Sequence, residues 1–159
     1  MALEIERRFL VLPDKLPKRA SRGDSIIQGF LSFEPVVRIR ILKPAKGKPC
    51  AFLTVKGKGL RIRAEYEYEI PLADARRLLK LTSGYLIEKT RIPIGPWTID
   101  RYAGRHKGLW TAEIEFKSRR AELPKPAPAW LGMEVTSDPF YTNSRLARLP
   151  KWTGHPKAK

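Results

Sequence analysis

Nine of the 16 acidic residues in this 159-residue chain sit at alternate positions of short runs: Glu4 and Glu6, then Glu65, Glu67 and Glu69, Asp100, Glu113 and Glu115, and Glu134. Cations follow the same spacing. Arg8 follows the first pair, Arg38 and Arg40 stand in VVRIRI, Lys56 and Lys58 follow Thr54 in FLTVKGK, Arg61 and Arg63 open LRIRAEYEYEI, and Lys89 and Arg91 stand in EKTRI. On a strand, residues two apart share a face. An antiparallel sheet with one wet face gives similar alternation. Such a face mixes Ser, Thr, Gln and Asn among its charges, whereas these positions are almost all ionisable. Confined carboxylate pairs such as Glu4/Glu6 and Glu113/Glu115 resist ionising together. A hard divalent cation relieves that repulsion, and oxygen-only ligands suit Mg2+ or Mn2+ better than zinc. The arginines and lysines then require an anion, and phosphate oxygens match guanidinium forks. The guest that fits both sets is a metal-bound, multiply phosphorylated anion.

The elements that must position these residues are strands. Period-two alternation predicts them near 2–12, 24–33, 35–43, 51–58, 61–71, 84–95, 97–103, 109–118 and 131–136. Turn residues separate the runs, and GKG at 57–59 reads as a tight hairpin. One amphipathic helix is expected over 72–82, with Leu72, Ala75, Leu78 and Leu79 on its apolar side. A second is expected from Asp138-Pro139, a capping acid before a proline, to about Leu149. The intervening positions are largely apolar, including Leu3, Ile5 and Phe9, Tyr66 and Tyr68, Ile114 and Phe116, and Met133. Closing the sheet into a barrel lets the charged faces converge on a lumen while the oily faces pack outward. The expected fold is predominantly β (α+β): a closed antiparallel barrel of about eight strands forming a charged tunnel, with flanking helices. One domain is expected over 1–150 and a short basic tail over 151–159.

Composition narrows the partners. The formal net charge is +16 and the pI about 10.3, which implies a polyanionic partner. Cys50 is the lone cysteine, so no disulfide can form within the chain, in keeping with a cytoplasmic protein. Two histidines, His106 and His155, leave little for zinc chemistry or a serine triad. No run is apolar enough for a secretory leader or a membrane span. The expected state is monomer or homodimer.

Taken in order, EIERR, VRIR, FLTVKGKG, RAEYEYEI, IEKTR, TIDRYAG, AEIEF and WLGMEVTSDPFYTNSRLA resemble the motif series of the CYTH superfamily, the triphosphate tunnel metalloenzymes. The likeness runs from Leu3 to about Leu149. It implies a metal-dependent triphosphatase, and small single-domain bacterial members look most like inorganic triphosphatases acting on tripolyphosphate. By position, the resemblance gives Glu4, Glu6, Asp100, Glu113 and Glu115 to the metal. Arg8, Arg38, Arg40, Lys56, Arg63, Lys89 and Arg91 fall to the phosphates. Glu65 and Glu67 fall to a second metal or the attacking water, which with Arg8 makes them the catalytic candidates. Two positions depart from the pattern. Arg8 stands where the opening motif has Lys, and Phe30 in GFLSF stands where relatives have a Tyr that works with that Lys near the cleaved phosphate. Other readings are a polyphosphate- or nucleotide-binding module with little turnover, a class IV-type adenylate cyclase and a thiamine triphosphatase. Nucleic-acid binding through Lys15, Lys18, Arg19, Arg22, Lys43, Lys46, Lys48, Arg119 and Arg120 is a secondary reading.

Overall fold

The computed structural model describes residues 2–20 and 22–156, so part of the expected 151–159 tail lies outside the described residues. Alternation becomes strand in every expected run: β1 (Ala2–Val11), β2 (Asp24–Phe33), β3 (Val36–Lys43), β4 (Cys50–Lys56), β5 (Ile62–Ile70), β6 (Ser83–Ile94), β7 (Trp97–Tyr102), β8 (Trp110–Glu115) and β9 (Leu131–Glu134). Eight of them pair antiparallel in the order β5-β4-β3-β2-β6-β7-β8-β1, and β5 returns to β1 to close the barrel. β5 divides its pairing, residues 62–65 with β1 and residues 65–70 with β4.

The closing strand shares one edge between two partners. Residues 2–5 of β1 pair with the start of β5, Ile5 opposite Ile62 and Glu4 opposite Arg63. Farther along, Phe9 and Val11 pair with β9 instead, opposite Glu134 and Leu131. The other edge of β1 carries β8, with Glu6 opposite Glu115 and Arg8 opposite Glu113.

Apolar side chains pack in separate clusters, two of them outside the barrel. The helix α1 (Leu72–Leu79) lays Ala75 on Ile39 and Ala51, with Leu72, Leu78 and Leu79 around them. Phe9, Trp97, Ile99, Ala112, Ile114 and Trp130 form the second cluster, the Trp97 ring edge-on to both Phe9 and Trp130. A third, on the inner side, joins Phe30, Ile87, Tyr102 and Leu109 to Val135, Tyr141 and Leu146. Each fully buried aliphatic or aromatic side chain contributes about 1.5–3 kcal/mol.

Three expectations are corrected. GKG is not a tight hairpin: Lys56 pairs with Glu65, and residues 62–64 turn away to β1. Gly59 makes this path possible at φ +124°, where a Cβ would collide with the Ile62 carbonyl oxygen. The second helix is not continuous. A 3-10 turn over Pro139–Tyr141, capped by Asp138 on the Phe140 N–H at 2.9 Å, gives way to extended Thr142. The Thr142 hydroxyl then caps α2 (Asn143–Leu146) through the Arg145 N–H at 3.2 Å. Two successive caps divide what one periodicity suggested was a single helix. Last, the charged and oily faces are not sorted everywhere. Glu134 lies outside the barrel against Arg7 at 2.8 Å, and Leu3, Tyr66, Tyr68 and Met133 remain exposed on the outer wall. No helix among the described residues is long and apolar enough to cross a membrane.

Candidate active site

The inward positions of the strands line one cavity of about 190 Å³. All the expected site residues except Lys89 and Asp100 border it. The register explains the convergence, because opposite residues in antiparallel strands are nearest neighbours. Arg8 opposite Glu113 donates from Nε to its carboxylate at 2.7 Å. Arg63 opposite Glu4 does the same at 2.7 Å. Lys56 opposite Glu65 lies 3.0 Å from it and also donates to Glu4 at 2.7 Å. Glu67 accepts from Thr54 at 2.8 Å, from Arg40 at 3.2 Å and from Arg38 at 3.4 Å. Exposure rises from Glu6, Arg8 and Lys56, 6–8% accessible at the side chain, to Arg91 and Glu67 at 27% and 32%, so the wide mouth lies toward the latter pair.

Lys89 and Asp100 have the inward phase of Arg91 and Tyr102 but are covered by their neighbours. Each side chain is 1% accessible, and Lys89 Nζ donates to Asp100 at 2.6 Å. Arg91 grips both oxygens of the same carboxylate at 2.9 Å. Burial alone would raise Asp100, but Lys89 and Arg91 override it and hold the carboxyl well below the usual range.

The closing segment contributes residues that strand periodicity could not indicate. Thr142, Asn143 and Ser144 line the cavity. The Asn143 side-chain oxygen accepts from the Tyr102 hydroxyl at 3.0 Å and from Lys89 at 3.3 Å. Tyr102 is buried inside the barrel, so a tyrosine hydroxyl is present near the chamber although Phe30 has none. The Phe30 ring is buried, stacks on Phe33 at 5.5 Å and reaches the cavity wall.

Arg8 uses all three arms of its guanidinium. Nε donates to Glu113, Nη2 to Glu6 at 2.9 Å, and Nη1 to the Tyr141 carbonyl at 3.3 Å. One cation thus serves two carboxylates, and the two titrate differently. Burial, then the neighbouring Glu113 charge, push Glu6 up to about 7. Glu113, with Arg8 closest, is held below the usual range against its own burial. Glu4 behaves likewise: burial opposes ionisation, but Lys56 and Arg63 draw it down to about 2. Burial and the adjoining Glu4 raise Glu65.

No family model matches the chain. Curated relatives do. It is 39% identical over 158 residues to an inorganic triphosphatase of Acetivibrio thermocellus, covering 94% of this chain and 96% of that protein. It is 35% identical over 149 residues to an inorganic triphosphatase of Nitrosomonas europaea, covering 91% and 96%. A crystal structure of an inorganic triphosphatase superposes with a TM-score of 0.61 at 30% identity, over 94% of this chain and all of the other. The chain belongs to the inorganic triphosphatase family.

In this triphosphatase chain the donor set suits a hard cation. Every inward acid offers carboxylate oxygen, Glu115 makes no ion pair among the described residues, and Glu6 is raised by its burial and then by the Glu113 charge beside it. No three of its His, Cys, Asp and Glu side chains converge as a ready metal centre among the described residues, because arginines and lysines hold most of the acids.

A pH dependence follows for the metal-free triphosphatase. A carboxyl whose folded pKa lies above its unfolded value binds more protons when folded across that interval. Glu6 therefore makes stability fall as pH rises from about 4.5 to about 7, by on the order of 3 kcal/mol. Glu6→Gln keeps the neutral form at all pH values. Urea melts of the two proteins should agree near pH 4.5, and the variant should be more stable at pH 8. Parallel pH profiles would rule out the raised carboxyl.

Proposed function

We propose that this chain hydrolyses inorganic tripolyphosphate inside the barrel with Mg2+ or Mn2+ as its cation. The observation that carries the reading is the chamber itself: carboxylates and guanidinium or ammonium groups in equal number around one small cavity, in a chain so similar to inorganic triphosphatases. Glu6, Glu113 and Glu115, with Glu4 beside them, are the residues that would hold the cation. Bound there, it would neutralise phosphate oxygens and polarise the phosphorus they surround.

The chain's own groups divide the remaining work. Arg38, Arg40 and Arg91 line the wider part of the cavity and would grip the phosphate chain through charge-assisted forks. Lys56 and Arg63, deeper in, balance Glu4 and Glu65 and can turn toward phosphate oxygens. The two middle acids differ in their freedom. Glu67 is committed to Thr54, Arg38 and Arg40, whereas Glu65 has Lys56 alone as an ion-pair partner among the described residues. Glu65, raised toward neutrality, suits the task of orienting a water and accepting its proton. Water oxygen bonds the terminal phosphorus, the bridging P–O bond breaks, and orthophosphate and pyrophosphate result. A cytoplasmic location fits the lone Cys50.

The test is phosphate release from tripolyphosphate, pyrophosphate, nucleoside triphosphates and thiamine triphosphate with each metal. Tripolyphosphate should be cut fastest, and chelation should stop the reaction. Tight calorimetric binding without release from any of them would replace hydrolysis by a binding module.

A further inference from the structure

The cavity explains none of the chain's charge surplus. Six carboxylates and six cations line it, and the covered Lys89–Asp100 pair beside it adds nothing. The net +16 therefore resides outside the chamber. Part of it gathers on one rim. Along β6, Tyr85 is bonded to Ala147 of the closing segment at one end, while Ile94 leads into the β6–β7 turn at the other. At that far end Asp24 pairs with Arg91, and Lys43 with Ser25. The Asp24 carboxylate accepts the Ala45 N–H at 2.9 Å and so pins the 44–49 loop beside the start of β2. Arg19 and Arg22 flank a cleft floored by Ile92, Ile94 and Gly95. Arg19, Arg22, Lys43, Lys46 and Lys48 are all exposed, and none has an ion-pair partner among the described residues.

We propose that this rim is a binding site for a linear inorganic polyphosphate chain, held outside the tunnel through its backbone charge. Its length favours a polymer. The cations spread across the ends of β4, β3, β2, β6 and β7, roughly 20 Å at about 4.8 Å per strand, more than three linked phosphates reach. Its lack of exposed aromatic side chains favours a chain without bases, because single-stranded nucleic acid is held largely by stacking; Phe52, near the start of β4, is half-buried with Arg40 over its ring. The exposed aromatics, Tyr66, Tyr68 and Tyr85, lie on the outer wall of β5 and at the opposite end of β6. The pairing of Asp24 with Arg91 sets the rim against the wide mouth of the chamber. The inference does not depend on the chamber's being a triphosphatase.

The experiment measures binding of long-chain sodium polyphosphate to the whole protein across a salt series. In low salt the native chain should bind, with affinity falling steeply as salt rises. Arg22→Glu/Lys43→Glu/Lys46→Glu should weaken binding by about ten-fold or more and flatten the salt slope, with phosphate release from tripolyphosphate within about two-fold of native. A control of equal charge, Arg145→Glu/Arg148→Glu/Lys151→Glu at the opposite end, should bind as the native chain does. Single-stranded RNA with the same number of phosphates should bind more weakly. Equal losses in the two variants, an undiminished rim variant, no binding in low salt, or RNA matching polyphosphate would each overturn the proposal.

Discussion

Arg8→Ala is expected to lower stability by roughly 3–5 kcal/mol and to abolish phosphate release from tripolyphosphate. The energetic part comes from removing one partner of a buried ion pair, which strands the other charge. Here two are stranded, because Glu6 and Glu113 share the same guanidinium. The catalytic part comes from the loss of a fixed spacing between acids that repel one another. Arg8→Lys separates charge from shape. It restores a cation, but an ammonium on a single stem cannot span Glu113, Glu6 and the Tyr141 carbonyl as the fork does. The Lys variant should recover part of the stability and lose the tie to the closing segment. Faster amide exchange in residues 143–149, with the barrel strands unchanged, is the expected sign. Reverting to the family residue is then a loss here, and Arg8→Lys with Phe30→Tyr should be less active than the native chain. An Arg8→Ala protein with native urea midpoint and exchange would show that the shared guanidinium does not hold these parts together.

The same residue shows what a linear reading can reach. Alternation placed Arg8 on the inner face with Glu4 and Glu6, because strand phase depends only on spacing. It could not tell that Arg8 has its fork occupied by acids and a carbonyl, which depends on β8 and on a turn more than a hundred residues away. Strand closure was legible for a related reason: one face of nearly every run is too charged to be buried against another sheet. The break at Thr142 was not, since it turns on which hydroxyl caps which N–H. Glu134 followed the right spacing on a strand that lies outside the ring, so its phase pointed it to Arg7 instead of the lumen. Asn143 and Tyr102 were hidden for a third reason. Their contact joins a barrel strand to the closing segment, and no local pattern encodes that docking.

Asp100→Asn should be nearly as damaging to the fold, although Asp100 does not border the chamber. Its carboxylate accepts from Lys89 and, through two bonds, from Arg91. Removing its charge leaves Lys89 at 1% accessibility without its counter-ion, a loss of roughly 3–5 kcal/mol, or about 10 °C in thermal midpoint for a domain of this size. Burial already lowers Lys89 to about 8 in the native chain. Without Asp100 that pKa falls further, and the lysine stays folded mainly by giving up its proton. Arg91, released from its bidentate grip, swings in the mouth of the cavity, so affinity for tripolyphosphate should fall together with stability. Lys89→Met added to Asp100→Asn tests the cause. With the buried ammonium gone, the double variant should regain stability relative to Asp100→Asn alone, while the loss of affinity through Arg91 persists. If the second change deepens the loss by its own single-variant amount, the two side chains are energetically independent and the pair is not what supports this wall. The native pair also has an acid signature. A carboxyl held below its unfolded value adds stability above that value, and the contribution disappears as pH falls through the folded one. The stability difference between native protein and Asp100→Asn should therefore be full at neutral pH and shrink in strong acid.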